Sequence, residues 1–155
     1  ERFDKEAQGR IILKRPSDKY LILIAVGTND SKFDGDPEKG NCRTSEDQFR
    51  KNIEELIKKA KSSQANLAFI GFPPVDKSKT FPFENTWFPI ERIKLFNEIV
   101  RESCEKSDVP FLDIFTVMSK EDFPRMLEDG LHPNSKGYDF MFQKIKDFLE
   151  KNKLI

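Results

Sequence analysis

The chain has 155 residues, which is the length of one domain rather than two. Hydrophobic residues make up 37% and charged residues 35%, but 15 Phe supply enough apolar volume for a core, so disorder is disfavoured. Basic and acidic residues number 27 each, and this formal net charge of zero disfavours general nucleic-acid binding.

No segment is predicted to span a membrane. The longest purely apolar run covers only residues 21–26, whereas a bilayer requires about 20 apolar residues. Cys42 and Cys104 make neither a disulfide framework nor a metal-ligand pair. They suggest a reducing compartment, and we therefore expect a cytoplasmic location.

The first half of the chain predicts two helices and one strand. Phe3, Ala7 and Ile11 are spaced four apart among charged residues, so the sequence is expected to open within a helix. Residues 20–26 form an apolar run that ends at Gly27 and is typical of a buried strand. A long polar loop follows, and a helix is predicted from about Ser45.

The second half repeats the alternation. A strand is predicted over 66–70, followed by a long loop over 72–88 and a helix that starts near Pro89. A third strand is predicted over 111–115, and a last helix from Asn134 or Ser135. The apolar stripe of this last helix consists of Tyr138, Met141, Phe142, Ile145, Phe148 and Leu149.

This order of elements predicts the α/β class. Strands separated by helices imply right-handed crossovers and a parallel sheet with helices on both faces, a three-layer α/β/α arrangement like that of flavodoxin. We interpret residues 1–155 as one domain. Ligands bind at the carboxyl ends of such strands. Both long loops and the only His of the chain are therefore expected at one rim of the sheet.

Asp129 and His132 are the strongest catalytic candidates. An acid three residues before a His can accept the Nδ1 proton and leave Nε2 free as a general base. Gly130 permits the tight turn, and Pro133 keeps His132 extended. Spacing alone favours a simpler interpretation, a surface loop that caps the last helix. Asp113 is a rival acid, because it also lies near a strand end.

A second candidate site follows the most buried strand. Gly27 would let the backbone approach a ligand closely, with Thr28 beside it. Asn29 carries an uncharged amide donor of the kind that stabilises an oxyanion. The alternative is a common Asn-Asp turn that ends a strand. The aromatic loop that carries Trp87 could line an acyl site, stack on a sugar ring or simply anchor itself.

Metal binding is not predicted. Asp30, Asp34, Asp36 and Glu38 crowd one loop, but their spacing does not match a calcium loop. With a single His and two distant Cys, zinc is effectively excluded.

The motifs in this order resemble the SGNH hydrolases, also called GDSL-type lipases and esterases. The similarity rests on a strand that ends in Gly-x-Asn-Asp at 27–30 and on Asp-Gly-x-His-Pro-Asn at 129–134. Pro-Pro-Val-Asp at 73–76 adds to it. The resemblance implies a three-layer α/β/α fold, an Asp129–His132 acid–base pair, and an Asn29 amide in the oxyanion hole. It also implies that no metal or organic cofactor is needed.

The family's nucleophile block, Gly-Asp-Ser after its first strand, is absent from the chain. The resemblance therefore implies a missing strand–helix unit, with the serine upstream of Glu1. We expect an ester hydrolase that acts on small-molecule carboxylic esters. The alternative is a non-catalytic domain that binds an acylated ligand, a glycan or a protein. The edge of the 20–26 strand would pair with that N-terminal segment or, where the segment is absent, would lead to self-association.

Overall fold

The computed structural model describes residues 20–36, 38, 41–63 and 65–155. The strands in chain order are β1 (Leu21–Ile24), β2 (Phe33–Asp34), β3 (Asn41–Cys42), β4 (Asn66–Ile70), β5 (Thr86–Trp87) and β6 (Phe111–Leu112). The α-helices are α1 (Glu46–Lys61), α2 (Lys77–Thr80), α3 (Ile90–Lys106), α4 (Ile114–Ser119) and α5 (Ser135–Lys151). Short 3₁₀ helices occupy Thr28–Ser31 and Phe123–Met126.

The main sheet has three parallel strands in the order β1-β4-β6. The predicted α/β class and the parallel direction of the strands are therefore confirmed. Two strands are shorter than predicted. The strand expected over 111–115 ends at Leu112, because the Asp113 side chain accepts a hydrogen bond from the Thr116 backbone N–H and starts α4 instead.

Helix α1 begins where its sequence signal predicts. The Ser45 side chain accepts a hydrogen bond from the backbone N–H of Gln48 at 3.3 Å and caps the helix. One face of the helix is buried and carries Phe49, Ile53 and Ile57. This face gives α1 its place against the sheet and against α3.

Helix α3 contributes the other half of this core. Ile93, Phe96 and Val100 have no exposed surface, and neither has Cys104. The Phe96 ring stacks on Phe49 with 4.4 Å between the ring centroids. Burial raises the pKa of the Cys104 thiol to about 12, so this cysteine stays protonated and unreactive.

Helix α5 is only partly covered by the rest of the molecule. Leu149 is buried, and Met141 and Ile145 are half-buried against the hydrophobic cluster that includes α4 residues. The side of the predicted stripe that carries Tyr138 and Phe142 is exposed, at 60% and 61%. The sequence period predicts the apolar stripe correctly, but not which part of it is covered.

A second, antiparallel sheet joins the two long loops, in the order β3-β2-β5. Phe33 of the first loop pairs with Trp87 of the second. Arg92 lies over the Phe33 ring, 5.3 Å from its centroid, and also over Phe96 at 4.5 Å. The sequence does not predict this sheet, because its strands are two residues long.

The helix predicted from Phe3, Ala7 and Ile11 lies outside the described residues. Among the residues that are described, none of the helices is long and apolar enough to cross a membrane. The assignment of residues 1–155 to one domain stays a prediction.

Gly27 is constrained on two counts at the end of β1. Its φ angle is +124°, a backbone conformation that L side chains rarely adopt. A Cβ added there would lie 2.6 Å from Phe72 Cζ and 2.8 Å from Phe49 Cζ. The glycine is therefore required by the rings packed around it, whereas the sequence suggested a close approach to a ligand.

We expect Gly27→Ala to lower the free energy of unfolding by about 2–4 kcal/mol, because backbone strain and overpacking add. Denaturant unfolding measures the loss. Adding Phe72→Leu should recover part of it by making room for the new methyl group. Unchanged stability in Gly27→Ala would contradict this packing.

Candidate functional site

The Asp129 carboxylate organises the loop that leads into α5. Its Oδ1 accepts hydrogen bonds from the backbone N–H groups of Leu131 at 2.9 Å and His132 at 2.7 Å. Its Oδ2 lies 2.7 Å from His132 Nδ1. Gly130, with φ of +90°, makes the turn between them. The predicted contact between Asp129 and the His132 ring is confirmed.

Charge fixes the direction of this hydrogen bond. Burial acts to raise the pKa of Asp129, but the hydrogen bonds from His132 and Leu131 outweigh it and lower that pKa to about 2. The carboxylate is therefore ionised at neutral pH and can only accept. His132 donates from Nδ1, which leaves the Nε2 lone pair free to take a proton.

The rest of the molecule holds this loop through Gly130 and Leu131. The backbone N–H of Asp76, in the segment after β4, donates to the Gly130 carbonyl at 2.8 Å. The Lys79 side chain packs closely against Gly130, so that a Cβ added to Gly130 would lie 2.6 Å from the Lys79 Cβ. Leu131 is 8% exposed and belongs to the main core. The loop that carries Asp129 and His132 is therefore anchored to the rest of the protein, although the His132 side chain is 63% exposed.

The rival acid, Asp113, has a different set of partners. Its Oδ1 accepts from the backbone N–H of Thr116 at 3.1 Å and from Asn97 Nδ2 at 3.0 Å. Asn97 is buried, and its Oδ1 accepts from the Phe72 backbone N–H at 3.0 Å. Asp113 therefore ties α3, α4 and the end of β4 together, and the His132 hydrogen bond belongs to Asp129.

A groove of about 450 Å³ opens at the carboxyl ends of β1 and β4. It is lined by residues 25–30 after β1, by residues 70–73 after β4 and by Met141 of α5. The candidates Gly27, Thr28 and Asn29 all line it, and Asn29 is exposed. The sheet therefore presents the Asn29 side chain at the rim where parallel sheets bind ligands.

The groove does not bring every candidate together. His132 is not among the residues that line it. Trp87 is also absent from its lining and is half-buried beside Phe33 in the small sheet. Its neighbour Phe88 is 2% exposed and lies in the main core. This placement favours, for that stretch, the alternative of a loop anchored by its own aromatic side chains.

Neighbouring polar groups of the first loop are already partnered. Ser31 is fully buried, and its hydroxyl donates to the Thr28 carbonyl at 2.7 Å. The Asp30 carboxylate accepts from Thr44 Oγ1 at 3.0 Å, and Asp34 lies 3.7 Å from Lys32 Nζ. Across the described part of the chain, no group of three or more His, Cys, Asp or Glu could hold a metal ion.

One residue beside the Asp129–His132 pair was not predicted from the sequence. The Phe83 ring lies edge-to-face with the His132 ring, with 6.1 Å between centroids. Its contact crosses about fifty residues of sequence, and no local pattern signals it. Only the aromatic content of the second loop hints at such a contact.

A carboxylate that accepts a hydrogen bond from a histidine Nδ1 recurs in hydrolases of several unrelated folds. The chain matches the GDSL-like Lipase/Acylhydrolase family over residues 3–140 and belongs to that family. No curated protein matches it.

Two of the similar solved structures illustrate the shared fold. A lipase/acylhydrolase from Enterococcus faecalis has a TM-score of 0.67 and 21% identity, over 96% of this chain and 68% of that one. A GDSL-like lipase from Bacteroides thetaiotaomicron has a TM-score of 0.65 and 25% identity, over 85% of this chain and 62% of that one. The chain thus spans about two thirds of the length of these structures.

The low pKa of Asp129 makes a pH prediction. A carboxylate whose folded pKa is lowered stabilises the fold above its unfolded pKa, and this stability is lost as pH falls through the folded value. We expect the Asp129 carboxyl ¹³C signal to titrate with a midpoint near pH 2. The matched variant Asp129→Asn should lose the corresponding part of the acid dependence between pH 4 and 2. A midpoint near the ordinary 3.8 would contradict the hydrogen-bond geometry.

Proposed function

We propose that this chain supplies the acid–base pair and an oxyanion donor of an ester hydrolase that uses a Ser-His-Asp triad. The observation that carries the proposal is the 2.7 Å hydrogen bond between Asp129 Oδ2 and His132 Nδ1 at the rim of the parallel sheet. The substrate class is a small-molecule carboxylic ester. Membership of the GDSL-like family supports hydrolase chemistry of this kind.

In this mechanism His132 Nε2 takes the proton of the attacking serine hydroxyl and later delivers it to the leaving alcohol. Asp129 keeps the imidazole in the required tautomer and stabilises the imidazolium that forms. The Nδ1 hydrogen bond and the low pKa of Asp129 support these two roles.

Asn29 would stabilise the negative charge on the substrate oxygen with its side-chain amide. Such a donor needs no proton transfer and acts when the tetrahedral intermediate forms. The exposure of Asn29 and its place in the groove support this role. Gly27 and Thr28 would form the wall of the groove next to Asn29. Trp87 does not line the groove, so any contact that it made with substrate would lie outside it.

The nucleophile in this proposal is a serine upstream of residue 1. Two observations support a source outside the described residues. Ser31, which lies nearest to the groove in sequence, is fully buried and donates its hydroxyl proton to a backbone carbonyl. Within the described residues β1 pairs with β4 on one side, and Leu23 and Val26 are 41% and 48% exposed.

The proposal about what pairs with β1 rests on the exposed side of this strand. Leu23 of β1 and Val26, which lies just beyond the strand, are exposed apolar side chains, and so are Tyr138 and Phe142 of α5. Among the described residues β1 is paired on one side only, and a strand edge of this kind recruits another strand. We propose that an N-terminal segment of the same polypeptide, or a second copy of the chain, covers the edge at 20–26. The free thiols Cys42 and Cys104 support a cytoplasmic location.

A second candidate function is a non-catalytic domain of the same fold that binds an acylated ligand, a glycan or a protein. The burial of Ser31 favours it, because this serine, the one nearest to the groove in sequence, is not free to act as a nucleophile. Ester turnover by the complete polypeptide discriminates between the two functions. Binding of the ester without turnover would favour the second.

We expect His132→Ala to lower ester turnover of the complete polypeptide by several orders of magnitude, because base and nucleophile act as one unit. Asn29→Ala should lower kcat by about 10²–10³, the loss of one oxyanion donor. Steady-state kinetics with a chromogenic ester measures both.

Asn134→Ala is the matched control for Asn29→Ala. The Asn134 side chain caps α5 by accepting from the Gly137 backbone N–H at 3.1 Å. Its loss should therefore lower Tm and leave kcat within a few-fold. Unchanged turnover in His132→Ala would rule out the mechanism.

Residues 1–155 alone should be inactive toward esters and should associate, because β1 pairs with only one neighbouring strand among the described residues. Multi-angle light scattering gives the mass in solution. Replacing Leu23 and Val26 by Lys should reduce the association, whereas Leu95→Lys on exposed α3 surface should not. A stable monomer with clear esterase activity would contradict the proposal.

A further inference from the structure

The orientation of the His132 ring is not fixed by its hydrogen bond to Asp129 alone. The hydrogen bond from Nδ1 to Asp129 Oδ2 fixes the direction of the N–H group. It leaves the imidazole free to twist about that direction, which would move Nε2 out of line. The side chain is 63% exposed, so the surrounding protein restricts it little. The Phe83 ring, 6.1 Å away at an interplanar angle of 68°, stands against this motion.

Phe83 is itself held firmly. Its backbone N–H donates to the Thr86 carbonyl at 2.7 Å, and the Thr86 N–H donates back to the Phe83 carbonyl at 3.0 Å. Its ring packs edge-to-face on Phe88, with 6.2 Å between centroids. Phe88 is 2% exposed, and its backbone N–H donates to the Thr80 carbonyl at 3.1 Å. The core therefore backs the ring that touches His132.

We propose that Phe83 is a positioning residue for the base. Its ring limits the twist of the His132 imidazole and keeps Nε2 aimed at the reacting proton. Such alignment matters because small displacements of a catalytic group cost rate rather than binding. The kinetic part of this inference rests on the proposed esterase function, whereas the structural part concerns the imidazole alone.

The test compares three variants of the complete polypeptide. Phe83→Leu keeps an apolar side chain but removes the flat ring, and Phe83→Tyr keeps the ring. Phe111→Leu is the matched control, because Phe111 is also a half-buried ring packed against the main core. It controls for a general loss of stability without a change beside the imidazole.

We expect Phe83→Leu to lower kcat by roughly 3- to 10-fold with KM nearly unchanged, since one aromatic contact is lost. Phe83→Tyr should restore kcat, and Phe111→Leu should lower only Tm. NMR relaxation of the His132 Cε1–H group, assigned by its loss in His132→Ala, should show a lower order parameter in Phe83→Leu alone.

A Phe83→Leu variant with wild-type ring order would overturn the inference, as would a loss of kcat no larger than that in Phe111→Leu. Failure of the proposed function is a separate result. If the wild-type polypeptide turns over no ester, the relaxation measurement still decides whether Phe83 restrains the imidazole.

Discussion

The parallel pairing of β1 with β4 is the constraint on which the rest of the site depends. It places the carboxyl ends of both strands side by side, so that the turn at 27–30 and the segment at 71–76 emerge together. The first carries Asn29. The second reaches the Gly130 carbonyl through the backbone N–H of Asp76. A change of register would separate Asn29 from the loop that carries His132.

Buried polar groups then lock the rim to the core. Asn97 links the Phe72 backbone to Asp113, and Asp113 in turn starts α4. A Cβ on Gly71 would lie 2.4 Å from Asn97 Oδ1, so even the glycine that ends β4 is needed for this contact. These contacts fix the start of the segment after β4, which reaches the loop of His132 through the hydrogen bond from the Asp76 N–H to the Gly130 carbonyl. This arrangement suits the proposed role of His132, because a general base must be accessible to substrate.

Local signals in the sequence predict much of this molecule. The apolar runs predict the strands, Ser45 predicts the start of α1, and the Asp129–His132 spacing together with the family resemblance predicts the hydrogen bond found between these two residues. The sequence fails to predict the structure where a single side chain or a residue distant in sequence determines the secondary structure. Asp113 caps a helix in the middle of a predicted strand, and Trp87 joins a sheet with strands too short to show a period. The contact of Phe83 with His132 joins residues that are distant in sequence, so only the folded structure brings them together.

Labelling with a fluorophosphonate tests the central claim most directly, because this reagent forms a bond only with a serine that a base has activated. The measurement is the rate of labelling of the complete polypeptide, with the labelled peptide identified by mass spectrometry. The account predicts a single labelled serine outside residues 1–155 and a loss of labelling in His132→Ala. Labelling that persists in His132→Ala, or that falls on a serine within 1–155, would contradict it.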